Sequence, residues 1–328
     1  MDLIKDKFYG LTIGCAIGDA MGSLADLQNQ DGVTDVVESP EDGYWNEGCT
    51  LMLCQAEALC KGQSLINVLS ESLATGKLTS DGELSNLSQK TMSMLMLMLM
   101  GGNDVMGGND VSMGGNDYPE EVHAECTHLT DCLPPIGAVA MYYVRNYEQG
   151  HIDAYNNSLA KGCALCMDAC KFYHAVLDLA LHGGTKKQIL SPSSYTNLTL
   201  HTDISSILPL DPTTMLYDDN MNGSDNVISC LRMILHTFNA TDHISDGLIQ
   251  IVNNSQAPVR TGALFGQLAG SYYGLIDIKE SWLDSLQSKN ILTSITKHLL
   301  PKIESRNKLN DSDKQRVKRG AKTNTGNC

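Results

Sequence analysis

The sequence predicts an all-α fold, a compact orthogonal helical bundle, on three observations. Apolar residues recur at steps of three and four through several long stretches, the spacing that puts them on one face of a helix. Strand-type alternation is nearly absent, with Val33 to Val37 the one short candidate strand. Clusters of Gly, Pro, Asn and Asp separate the periodic stretches, as loops between helices do.

Near the N-terminus Gly14, Gly18 and Gly22 stand four apart, which permits close helix packing, with Asp19 placed to act as a cap. Leu51 to Cys60 carries apolar residues at helical spacing around the good formers Ala56, Glu57 and Ala58. Met92 to Met100 alternates Met and Leu, both apolar, so it carries no strand signal; a buried helix ended by Gly101-Gly102 is expected. Met-Gly-Gly-Asn-Asp then recurs from Met100, Met106 and Met113. These units are too short for a solenoid and favour turns or disorder. After the Pro134-Pro135 break a helix is expected over Ile136 to Tyr147. Leu159, Cys163, Cys166, Cys170, Tyr173, Leu177 and Leu181 define one buried face of another. Asn226 to Phe238 and Ala263 to Tyr273 follow the same pattern, with loops expected at 101–130 and 183–226.

The 328 residues are expected to form one domain over 1–305, interrupted by a low-complexity loop at about 100–120 and followed by a basic tail over 306–328. No apolar run reaches the roughly 18 residues of a membrane span, and the mixed charges of Met1 to Lys7 precede no secretory apolar core, so a cytoplasmic location is expected. A net charge of −15 opposes binding to nucleic acid and favours solubility. The odd, scattered set of 11 cysteines reads as reduced, buried thiols. Cys163-x-x-Cys166 lacks a second CxxC at zinc-ribbon spacing.

Several motifs occur in a specific order. Gly14-x-x-x-Gly18-Asp19-x-x-Gly22 is followed by Gly43-x-Trp45, then Pro135-Ile136-Gly137 and Asp168-Ala169-Cys170. A glycine- and alanine-rich stretch then ends in Leu268-Ala269-Gly270-Ser271-Tyr272-Tyr273-Gly274, with Trp282 beyond it. In order and spacing the chain resembles the ADP-ribosylglycohydrolase family, over roughly residues 8 to 300. The resemblance implies helices around a cleft that holds two magnesium ions. The family's ligands are Thr-Asp-Asp just after the tryptophan and Asp-x-Asp-Thr before the last glycine-rich helix. Such a pair of ions needs several hard oxygen ligands to orient a ribose and activate water.

Here the first set falls on Asn46, Glu47 and Gly48, and the second on Ala257, Val259 and Arg260, with Pro258 between. Gly48, Ala257 and Val259 bring no side-chain oxygen. A guanidinium about 4 Å from a divalent ion costs several kcal/mol even at an effective dielectric near 20. No register shift helps, because no acidic residue lies between Asn253 and Thr261. The central segment Thr127 to Pro135 and the pair Ala160-Lys161 also depart from the family pattern. Asp19, Glu38, Glu41, Glu47 and Asp131 are the carboxylates left near the implied cleft, with Glu47 and Asp19 as a candidate one-ion site; His123, Cys126 and His128 read as loop residues.

The expectation is therefore a member without catalysis, cofactor or bound metal, magnesium being what the family site would take. Among non-enzymatic relatives it resembles the cnidarian lens crystallins of this family. Net charge and 15 methionines suit such a role, while 5% aromatics suits it less. Weak ADP-ribose binding, with Arg260 on a phosphate, is the alternative reading, and self-association at high concentration is left open. A magnesium-dependent hydrolase with atypical ligands is the third.

Overall fold

In the computed structural model, which describes residues 3–32, 35–82, 130–156, 159, 163–210 and 226–300, two glycine-rich helices lie backbone against backbone. They are α1 (Leu3–Asp31) and α11 (Pro258–Tyr273). Gly10, Gly14, Gly18 and Gly22 along α1 face Gly270, Gly266, Gly262 and Pro258 along α11, so the two run antiparallel. A Cβ on Gly18 would stand 2.0 Å from the Gly262 carbonyl oxygen, and one on Gly266 would stand 1.9 Å from that of Gly14. No side chain fits there. The contact is between Cα–H groups and carbonyls, a recurring helix–helix geometry.

Between these helices in sequence come α2 (Glu47–Lys61), α3 (Leu65–Thr75), α4 (Ile136–Tyr142), α5 (Tyr147–Asn156) and α6 (Ala164–Leu181). The short α7 (Lys186–Ile189) and α8 (Thr202–Ser205) lead to α9 (Val227–Ala240) and α10 (Ile244–Asn254). After α11 come α12 (Glu280–Ser285) and a helix over 289–300. Helix α10 packs along both α1 and α11, while α2, α6 and α9 also lean on α11. The core is continuous from Phe8 and Trp45 through Tyr173 and Phe265 to Leu299.

Local signals explain most boundaries. Asn226 caps α9 by accepting the N–H of Ile228 at 2.9 Å. Helix α2 stops at Gly62 and α3 at Gly76, both with φ +67°.

The all-α expectation holds: no strand occurs among the described residues. Val33 lies outside them, and residues 35–38 are irregular. Val37 instead pairs with a side chain. Its N–H donates to Asn253 Oδ1 at 2.8 Å, and Asn253 Nδ2 donates to its carbonyl at 2.9 Å, so an amide stands in for a neighbouring strand. The stretch expected as one helix over Ile136 to Tyr147 is two, α4 and α5, separated by a turn at 143–145. The helix expected from Leu159 starts at Ala164, so Cys163 precedes it. Helix α11 starts five residues before Ala263, with Pro258 in its first turn, where a missing N–H costs nothing. The expected loop over 183–226 contains α7, a 3₁₀ turn at Pro192–Tyr195 and α8. Met92 to Met100, the Gly-Gly-Asn-Asp repeats, His123, Cys126, His128, Ala160-Lys161 and the basic tail lie outside the described residues.

The two CxxC cysteines are buried, and Cys170, one turn after Cys166, donates its thiol to the Cys132 carbonyl at 3.3 Å.

Candidate functional site

The antiparallel pairing of α1 with α11 sets the geometry. Because Gly22 meets Pro258 and Val259, the start of α11 lies beside the second half of α1. Helix α2 starts at the same level. Asp19, mid-helix in α1 and fully buried, accepts the N–H of Asn46 at 3.0 Å and of Cys49 at 2.7 Å, both on Oδ2. A carboxylate from one helix thus caps another, satisfying donors that the Asn46 side chain leaves open. Asn46 turns its amide away, donating to Ser23 Oγ. The segments 46–48 and 257–260, more than half the chain apart, are thereby brought together.

Asn46 is the half-buried residue before α2, engaged with Ser23. Glu47 is half-buried in the first turn of α2. Gly48 is buried: a Cβ there would stand 2.9 Å from Ala263 Cβ and 3.5 Å from Asp19 Oδ2. Ala257 stands at the N-terminus of α11, its N–H donating to Ser255 Oγ and its carbonyl accepting from Thr261 Oγ1, both at 3.0 Å. Val259 is half-buried. Arg260 forms an ion pair with Asp131 of the 3₁₀ turn Thr130–Cys132: Nε donates to Oδ1, and a terminal guanidinium nitrogen lies 3.4 Å from Oδ2. Glu38 and Glu41 are exposed on the segment before α2.

The Arg260–Asp131 pair solves a local electrostatic problem. The first turn of a helix carries a partial positive charge, and α11 has no acidic residue there. A guanidinium at that end, with its side chain 21% exposed, needs a carboxylate, and Asp131, 4% exposed, supplies it. The residue types alone pointed toward Asp131 but not to its partner. The available signal was a lone cation in an acid-free stretch, which burial obliges to find a counter-charge.

These residues do not fit a pair of divalent ions. Gly48, Ala257 and Val259 contribute no oxygen, and the volume beyond Gly48 is taken by Ala263. Arg260 presents positive charge in the first turn of α11, which carries no acidic residue. Among the described residues no group of three or more His, Cys, Asp and Glu side chains is arranged to hold a metal ion.

Burial pushes the Asp19 carboxyl up to about 7, against the pull of the N–H groups of Cys49 and Asn46, and the charge of Glu47 adds to the rise. Its Oδ1 has no hydrogen-bond partner, and a neutral orphan oxygen is less costly than a charged one. An unfolded aspartate titrates near 3.9, so between that value and about 7 the folded chain holds a proton that the unfolded chain has lost. This contribution to stability is complete below about pH 4 and is lost as pH rises toward 7. Asp19→Asn keeps an acceptor for both N–H groups and removes the titration. The difference in unfolding free energy between variant and parent should grow by up to about 4 kcal/mol from pH 4 to 7. Parallel urea melts measure it, and a flat difference would refute the assignment.

A family model described as ADP-ribosylglycohydrolase matches residues 1–308. The ADP-ribosylarginine hydrolase Tri1 of Serratia proteamaculans (strain 568) is 24% identical over 315 residues, covering 90% of this chain and 79% of that protein. The ADP-ribosyl-[dinitrogen reductase] glycohydrolase of Rhodospirillum rubrum is 40% identical over 63 residues, 19% of this chain and 21% of that one. A solved structure described as an ADP-ribosylglycohydrolase-related protein complex superposes with a TM-score of 0.68 at 18% identity, covering 92% of this chain and all of that one.

Proposed function

The chain belongs to the ADP-ribosylglycohydrolase family, and on that premise we propose that it is a non-catalytic member, a structural protein of the kind represented by the family's cnidarian lens crystallins. The observation that carries this reading is the Arg260–Asp131 ion pair at the start of α11. It puts a permanent cation, already neutralised from within the chain, where catalysis by paired magnesium ions would need oxygen ligands. Gly48, Ala257 and Val259 support it by the side-chain oxygens they lack.

A protein kept for bulk properties must stay soluble, folded and chemically inert. The net charge of −15 opposes association. Most described cysteines are buried, and burial holds the thiol of Cys54 up at about 12 and that of Cys49 above its ordinary range. The Cys132 thiol is raised first by hydrogen bonds with Cys166 and Cys170 and then by burial. Thiols in this state are poor nucleophiles and resist oxidation.

The names of the relatives favour a second reading, an ADP-ribosyl hydrolase acting on modified arginine. One experiment separates the two. The purified chain is incubated with magnesium and a mono-ADP-ribosylated arginine peptide, with EDTA as control, and titrated calorimetrically with ADP-ribose. We expect no release, no heat of binding, and a thermal midpoint that neither magnesium nor EDTA shifts. Magnesium-dependent release of ADP-ribose would establish the hydrolase instead. Binding without release would mean a binding protein that has lost turnover.

A further inference from the structure

Away from the region between α1, α2 and α11, two histidines meet across the contact of α5 with α6. His151 and His174 are both buried. Their Nδ1 atoms are 3.1 Å apart and the rings stand edge to face. Tyr147 packs edge-on against His151, with centroids 3.8 Å apart. Gly150 makes the space: a Cβ there would stand 2.4 Å from His174 Nε2.

The Nε2 atoms of both rings are buried and have no hydrogen-bond partner. In a neutral pair one ring donates at Nδ1 and the other accepts there, so the donor ring leaves its Nε2 bare and the acceptor ring carries its proton on Nε2. An added proton must then go to the donor ring's bare Nε2, leaving two buried N–H groups without an acceptor. The charged and titratable groups facing the pair are Asp178 and Lys171 of α6 and Tyr147 of α5. Tyr195 of the 3₁₀ turn and Asn197 face Tyr147 in turn, and Tyr143, the residue ending α4, sets its Cβ against Gly150. Asp178 favours a proton on His151 and Lys171 opposes it.

We infer that the His151–His174 pair is an acid-sensitive latch, holding α5 on α6 at neutral pH and releasing α5 locally when a ring is protonated. Burial lowers His151 to about 4 and His174, further opposed by the charge of His151, to about 3. An unfolded histidine titrates near 6.5, so the opened form binds more protons below that value. The contact is at full strength above about pH 6.5 and weakens as pH falls toward 4. Release falls on α5 because it is short and buries only Gly150, His151 and Ala154, whereas α6 is buried along most of its length. Acidification acts in the opposite sense at Asp19, so the α1–α2–α11 contact is not loosened with it.

Hydrogen exchange of the full chain, followed by mass spectrometry from about pH 7 to about pH 4 and corrected for intrinsic rates, tests the latch. Protection in 147–156 should fall about tenfold or more while that of α1 and α11 is kept. In His151→Gln only His174 still titrates, so the acid response of 147–156 should shrink, and with His174→Gln added it should vanish. Histidine nitrogen shifts in the unaltered chain give an independent reading: two rings should stay neutral until protection in α5 is lost. Unchanged protection at about pH 4, simultaneous loss in α1 and α5, or an intact acid response in His151→Gln would each overturn the inference.

Discussion

Replacing Gly266 by Val is expected to lower the free energy of unfolding by about 3 kcal/mol or more. Two effects of opposite sign compete. A side chain in place of a mid-helix glycine stabilises the helix, by about 1 kcal/mol in the case of alanine. Against this, a Cβ on Gly266 would stand 1.9 Å from the Gly14 carbonyl oxygen and 2.4 Å from its carbon. These are backbone atoms of a 29-residue helix that itself carries Gly10, Gly18 and Gly22 in the same contact. They cannot rotate away as a side chain would, so α1 and α11 must separate along their length. Gly18→Val should behave alike, since its Cβ would meet the Gly262 carbonyl. Gly62→Ala is the control. It also lacks a Cβ in the parent and has φ +67°, but nothing lies within 4 Å, so strain alone should cost about 1 to 2 kcal/mol. Urea unfolding followed by circular dichroism provides the comparison; equal losses at Gly62 and Gly266 would show that backbone approach is not what these glycines serve.

Arg260→Ala is expected to destabilise the chain by about 3 kcal/mol, toward the lower end of what breaking a buried ion pair costs. The carboxylate of Asp131 is 4% exposed and would lose the guanidinium that neutralises it. Asp131→Asn should shrink the loss, because the pair is coupled. A double-mutant cycle on Arg260 and Asp131 measures the coupling directly. The same variants bear on function. Under the structural reading, Arg260→Ala is less stable and magnesium does not restore the loss. Recovery by millimolar magnesium would show that the arginine had been masking a cation site.

Some of this was legible in the order of residues. The buried faces of α2, α6, α9 and α11 follow from apolar spacing, because helix periodicity is a local property. The all-α class and the family frame follow from the same spacing with the glycines. The boundaries that differed have local causes of a weaker kind. Tyr143 ends α4 without a Gly or Pro, and α6 begins after Cys163 without a side-chain cap. The apparent strand around Val37 failed because its hydrogen-bond partner is the side chain of Asn253, 216 positions away.

For the site, the sequence by itself determined the residue types: no side-chain oxygen at Gly48, Ala257 and Val259, and a permanent cation at Arg260. Those statements need residue types and no coordinates. Only the tertiary structure decided what took over. It brought Asp131 to Arg260 across 129 positions, turned Asp19 into the cap of a helix it does not belong to, and set His151 against His174. Such pairings depend on how helices cross. Here the crossing is set by the close approach of α1 to α11, which glycine allows and which brings the start of α11 level with the start of α2.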